Sequence, residues 1–253
     1  MTFAGVFRYE FRMQLSRASL WLGMAALAAL LLTLAVHKAP PDQLGADIAV
    51  AAVKLNWLAP MLAGVLLADR LVRERRLRTA ELITATGTNP IAQMWAKCLG
   101  CATAVALPLA LVWTITVARF AVVRGQPGAF AVGLLAFLVI QIPGLLFVSG
   151  FALVCPMLLN PILFRVLFVG YWLWGNLLSP GYLPTLAGTP LTPMGDYARA
   201  GLFGGSSPYQ GSGIGAPEHT STASALLSIT LLLLLPALVI TGYAATVRRL
   251  ENL

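Results

Sequence analysis

Apolar stretches about the length of a bilayer span alternate along this chain with short charged or Gly/Pro-rich links. A helix needs about 20 apolar residues to cross the hydrocarbon core. Six stretches come near that length: 18–36, 48–68, 94–118, 129–154, the shorter 164–179, and 223–245. Lys54 and Lys97 sit near the ends of their stretches, and no Asp or Glu falls in the middle of any of the six. The pattern predicts an all-α membrane protein with six transmembrane helices in a single domain. The first stretch reads as a retained span rather than a cleaved leader, because it follows a basic segment, lacks a small-residue cleavage site and precedes five more spans.

Between the spans, residues 1–17 place Phe3, Val6, Phe7 and Phe11 at helical spacing, with Arg8, Arg12 and Arg17 available to headgroups. This is the pattern of an interfacial helix on the membrane surface; a plain polar N-terminus with topogenic arginines is the alternative. Residues 69–93, DRLVRERRLRTAELITATGTNPIAQ, carry Arg70, Arg73, Glu74 and Arg78 at spacings of three or four, which can pair along a helix. Thr79 to Ile83 then form a short amphipathic turn, broken at Gly87 and Asn89-Pro90. A short helix of that kind suits docking into a groove of a soluble partner; a solvated charged loop is the alternative. Residues 180–222 are rich in Gly, Pro, Ser and Thr. Loops this long are usually functional or disordered, and 204–222 reads as a linker.

Composition sharpens the class. The chain has 253 residues, 58% of them hydrophobic and only 10% charged, with a mean hydropathy of +0.82. Soluble domains carry about 25% charged residues, so a soluble enzyme or nucleic-acid binder is excluded. The net charge of +8 matters through its placement. With the N-terminus inside, the cytoplasmic side receives Arg8, Arg12, Arg17, Arg70, Arg73, Arg75, Arg76, Arg78, Lys97, Arg165, Arg248 and Arg249. Lys38, Lys54, Arg119, Arg124 and Arg199 fall outside. That asymmetry predicts N-in and C-in termini in a cell membrane.

The stretch RERRLRTAELITATGTNPIAQMWAKCLG resembles the cytoplasmic segment between the second and third spans of ABC-2 type transporter permeases. Arg73-Glu74-Arg75, Thr79-Ala80-Glu81-Leu82-Ile83, Thr86, Pro90 and Lys97 stand where that family has its acidic-basic run, its turn, its small and Pro positions and its helix-opening Lys. Arg78 replaces a common Gly, and Gly-Thr-Asn is added before the proline. The resemblance implies an ATP-driven ABC exporter subunit that pairs with a second permease copy or paralogue and docks on separate ATPase subunits. It implies that 1–17 is the connecting helix and that Thr79–Ile83 is the coupling helix. Thr79, Glu81, Leu82 and Ile83 then meet the ATPase groove, flanked by Arg73, Arg75 and Arg78. It also implies short re-entrant helices within 185–195 and 196–203.

Site chemistry adds absences. No G-x-x-x-x-G-K-[ST] loop occurs in the sequence, so ATP and Mg are expected on partner subunits and no cofactor on this chain. The two histidines, His37 and His219, fall in separate loops, and no metal site is expected. Ser149 has no membrane His or Lys to activate it and reads as a small helix-packing residue. Cys98 and Cys101 share a helix face and are expected to be reduced thiols, with no disulfide framework. Ion-coupled carriers place an ionisable group at depth, which no span has. The candidate pathway is therefore polar and aromatic, from Asn56, Trp57, Trp113, Gln141, Phe147, Trp172 and Asn176, and suits an amphipathic, lipid-like, drug-like or peptide cargo. A non-transporting scaffold of the same fold and a lipid-modifying membrane enzyme are the alternative functions. Pro108, Pro143 and Pro236 are expected to kink their spans.

Overall fold

The computed structural model describes residues 2–32, 43–76, 89–178, 185–187, 189–204 and 220–251. Among the described residues, the regular elements are all helical. In chain order they are α1 (Phe3–Leu15), α2 (Ala18–Leu32), α3 (Leu44–Asn56), α4 (Ala59–Leu67), α5 (Arg70–Arg76), α6 (Pro90–Arg124) and α7 (Ala129–Ala136). Then come α8 (Ile142–Leu158), α9 (Pro161–Trp172), α10 (Asp196–Phe203) and α11 (Thr222–Glu251). Wider π-type turns occupy Phe137–Gln141, between α7 and α8, and Leu173–Leu177, after α9.

Local sequence explains the helix starts and stops. Asn89-Pro90 and Asn160-Pro161 open α6 and α9 in the same way, each Asn side chain accepting a bond from the backbone N–H two residues on at 3.0 Å. The proline, which has no N–H to lose, stands in the first turn. Gly125 ends α6 in the left-handed region at φ +65°, a conformation that only Gly adopts without a Cβ penalty.

Four helical runs are long and apolar enough to cross a membrane: Leu44–Arg76, Pro90–Arg124, Ala129–Leu158 and Thr222–Val247. They coincide with four of the six expected spans and overrun them. The longest has 35 residues, about 50 Å at 1.5 Å per residue. The overrun arises because helix caps, and not the last apolar residue, set where the backbone stops. The first expected span is described as helix only to Leu32. The fifth is a helix of 12 residues continued by a π turn of five, shorter than a bilayer core requires.

The second expected span departs further from the sequence reading. It breaks at Trp57-Leu58, where Pro60 in the first turn of α4 cannot donate to Asn56 and so cannot continue α3. At its other end, after a turn at Ala68-Asp69, the arginine-rich stretch continues as α5 on the end of the span. Large aliphatic side chains face outward all round the bundle, among them Leu22 at 71%, Leu158 at 77% and Ile162 at 70% exposed. Exposed apolar surface on that scale fits a lipid-facing wall.

Two apolar clusters fill the interior. One gathers α2, α3, α7, the second half of α6 and one face of α4; the other gathers the end of α4, α5, the first half of α6, most of α8, α9 and α11. Small residues set the close approaches. A Cβ on Gly150 of α8 would lie 2.5 Å from Pro236 Cβ of α11. A Cβ on Gly100 would lie 2.8 Å from Glu10 Cβ and 2.9 Å from the Phe7 carbonyl oxygen, so α1 rests backbone-close on α6. Replacing Gly100 with Val is expected to destabilise the protein by about 1–3 kcal/mol through overpacking. Thermal unfolding of the detergent-purified variant checks this, and an unchanged midpoint would refute the contact.

Candidate functional site

At the end of the bundle where α1 packs, the structure buries a chain of charges. Val6, Glu10 and Gln14, four residues apart on one face of α1, turn inward, while Phe3, Arg8, Tyr9 and Arg12 stay exposed. The inward face is thus distinct from the apolar positions Phe3, Val6, Phe7 and Phe11 that the sequence places at helical spacing, with Val6 common to both. Only Val6 of the four is fully buried, and Phe7 and Phe11 stack on one another with ring centroids 6.3 Å apart. The inward face is polar because α5 and α6 present charges to it.

Arg70 grips Glu10 with two bonds, Nε donating to Oε2 at 2.7 Å and Nη2 to Oε1. Its Nη1 also lies 3.5 Å from Glu74 Oε2, and Lys97 Nζ donates to Glu74 Oε1 at 2.5 Å. All four residues are at most 7% exposed. Two acids and two bases sum to zero, which is what allows four charges to sit out of water together. The Cys101 thiol donates to Glu10 at 3.7 Å and takes a bond from Gln14 Nε2 at 3.6 Å. Cys98 and Cys101 are both buried free thiols. At the margin, Arg17 donates to the Leu66 carbonyl at 3.3 Å. Burial first, and then the Arg70 charge, lower the Arg17 guanidinium from its ordinary value. Arg165 of α9 donates to Val65 O at 3.2 Å and to Asp69 at 2.5 Å.

Arg70 and Glu74 pair along α5 at the expected spacing of four, and each also links α5 to a second helix. Arg73 and Arg75 are exposed on the other side of α5, and Arg75 Nη2 donates to the Tyr243 hydroxyl at 3.0 Å. Arg78, Thr79, Glu81, Leu82 and Ile83, with the short helix expected at Thr79–Ile83, lie outside the described residues.

Midway along the bundle, residues 192–195 wedge between the helices. Asn56, at the end of α3, is fully buried, and its Nδ2 donates to the carbonyls of Ile140, Pro193 and Met194 at 2.9, 3.3 and 3.4 Å. Thr192 Oγ1 donates to Asn176 Oδ1 at 3.2 Å. A Cβ on Gly144 would come 2.5 Å from the Pro193 carbonyl oxygen, and one on Gly195 would come 2.5 Å from Ile140. Gln141 shares a helix face with Gly144, three residues on, and is fully buried. Among the described residues neither end of its amide has a hydrogen-bond partner, and the same holds for Asn56 Oδ1 and Asn176 Nδ2. Three backbone irregularities, the Trp57-Leu58 break and both π turns, therefore meet one polar seat. Such π insertions gather at functional positions.

Of the seven expected pathway residues, Asn56, Gln141 and Asn176 come together around this wedge. Trp172 is fully buried and donates to the Trp57 carbonyl at 2.7 Å, tying α9 across the break, while the Trp57 ring is 46% exposed. Trp113 is buried and donates to the Gly133 carbonyl at 2.8 Å. Phe147 packs on Phe151 at 4.8 Å. The two buried tryptophans are struts between helices.

Beyond the wedge, α10 stands at Asp196–Phe203, and Thr189–Thr192 make turns where a first short helix was expected. Ser149 is buried beside the Gly150–Pro236 contact. Sequence reasoning passed over Glu10 and Gln14, whose signal was a lone acid and an amide one helical turn apart on a basic leader. Compared with known proteins, the chain matches no family model, no curated protein and no solved structure.

Breaking one partner of a buried pair leaves an unpaired charge and costs about 3–5 kcal/mol. Glu10→Gln and Arg70→Met are each expected to lose stability on that scale, and the double variant to lose clearly less than their sum. Additive losses in thermal unfolding would show that the pair does not interact.

Proposed function

We propose that this chain is the membrane-spanning permease subunit of an ATP-driven ABC exporter, with six spans and both termini in the cytoplasm of the cell that carries it in its membrane. It forms the translocation pathway as a dimer and couples to separate ATPase subunits. The cargo class is amphipathic: lipid-like, drug-like or peptide.

The observation that carries this reading is how residues 77–88 are rooted. On either side of them stand α5 and α6, and the pair of Glu74 with Lys97, two turns into α6, bolts those helices together at 2.5 Å. Arg70 extends the bolt to Glu10 of α1. A displacement applied to 77–88 by a docked motor is then transmitted to α1, α5 and α6 as one body, because no link can shift alone without exposing an unpaired buried charge. Nucleotide-dependent contacts of the motor with two arrangements of this body supply the differential binding that a conformational change requires. The basic exposed face of α5, with Arg73, Arg75 and Arg76, favours an acidic docking surface.

The wedge at 192–195 supports the same reading from the other half of the molecule. Irregular backbone is tolerated at membrane depth where it is buried in protein or lines a cavity, and here it is held by side chains of three helices. Alternating exposure of the pathway would displace this wedge.

Affinity purification of the tagged chain in mild detergent is expected to recover a stoichiometric soluble subunit carrying a phosphate-binding loop. In the reconstituted complex, Glu81→Ala is expected to leave membrane insertion intact while substrate no longer stimulates ATP hydrolysis. Stimulation at the wild-type level would sink the role of that helix, and recovery of this chain alone would favour a scaffold.

A further inference from the structure

Next to the charge chain lies a cavity of about 110 Å³ at the junction of α5, α6, α8 and α11. Its walls are unlike one another. Leu71, Met94, Met157 and Val247 make an apolar lining, and Arg75, Lys97 and Glu74 stand at one side, with the Tyr243 hydroxyl held by Arg75. Glu74 already engages Lys97 and Arg70, and the four-residue chain to which it belongs is neutral. The charge left over is that of Arg75, which makes no ion pair among the described residues. Arg73 and Arg76 are exposed beside it. The first turn of the 35-residue α6 also faces the cavity through Pro90, Gln93 and Met94, adding the positive end of a helix dipole.

We propose that this cavity binds a single-chain anionic amphiphile, with a phosphate or carboxylate head at Arg75 and an alkyl chain along the two methionines. Its volume is somewhat below the roughly 150 Å³ of a cavity that holds one benzene ring, room for a head and the first carbons of one chain. The rest of the chain leaves past Met157 to the lipid-facing wall, where Leu158 is 77% exposed. Methionines accommodate chains of varied shape, so selectivity lies in the head. A cation is repelled by Arg75, and a neutral head leaves its charge without a partner. A free single-chain acid and a membrane phospholipid share the anionic head; the volume favours the former.

Native mass spectrometry of the full chain, released from maltoside micelles after titration with decyl phosphate, tests the site. One saturable adduct is expected, with none for decyltrimethylammonium. Arg75→Gln, at an exposed position, should weaken binding at least tenfold, and Met157→Trp, which fills the cavity, should do the same. Adducts that accumulate without saturating, or that persist unchanged in Arg75→Gln, would overturn the site. Tighter binding of a two-chain phosphatidate than of decyl phosphate would overturn the single-chain assignment. The measurement uses no ATPase, so its failure leaves the exporter reading standing, and a missing motor leaves this site standing.

Discussion

Four buried and mutually paired charged side chains constrain everything at the α1 end of this protein. Each of Glu10, Arg70, Glu74 and Lys97 would be costly to bury alone, and the effective penalty is several kcal/mol per ion even after relaxation. Together they are neutral and mutually bonded, so the penalty is offset only in the arrangement in which α1, α5 and α6 all meet. Apolar packing against lipid-like neighbours would leave α1 free to slide, since tails and leucines are equally greasy. The charge chain fixes the register instead. Gly100 completes the constraint, because only a glycine lets the α1 backbone come close enough for Glu10 to reach Arg70.

The second organising feature is an economy of backbone bonds. Three helices depart from α-geometry near one level, at Trp57-Leu58, at Phe137–Gln141 and at Leu173–Leu177. A departure inside an apolar bundle frees carbonyls that need donors. Asn56 supplies one to Ile140 and to the wedge, and Trp172 supplies one to Trp57. The irregular turns and these two donors belong together: Asn56 and Trp172 satisfy carbonyls beside the irregularities, and residues 192–195 pack against the same seat.

How far this was legible from sequence divides along physical lines. Apolar length set the four long helices, and Asn-Pro pairs stand at the starts of α6 and α9, because both signals are local. The polarity of Asn56, Gln141 and Asn176 marked them as unusual at depth, and the structure gathers them. What depends on tertiary contact was hidden. Glu10 looks like an ordinary surface acid until Arg70 faces it from 60 positions away. Trp113 and Trp172 looked like lining because aromatic type alone does not reveal that an indole N–H is spent on a carbonyl. Residues 192–195, in a Gly/Pro-rich stretch, carry no periodicity that would place them beside Asn56.

The two features are joined by α4. From Asn56 at the wedge to Arg70 in the charge chain is 14 positions, about 21 Å of helical rise, and both ends are pinned by buried bonds. The segment is interrupted beside each pin, at Trp57-Leu58 by the wedge and at Ala68-Asp69 by the charge chain. A closely packed helix pinned at both ends does not deform continuously, so a rotation of α5 would be taken up at these two interruptions. Trp172 bonds the Trp57 carbonyl at the first of them, which ties α9 to that hinge. Coupling of this kind needs two discrete arrangements of one element, and the hinge beside an incompletely bonded amide seat is where a second arrangement costs least. The amides of Asn56, Gln141 and Asn176 keep unused donors and acceptors, which a shifted wedge can engage without breaking new backbone bonds.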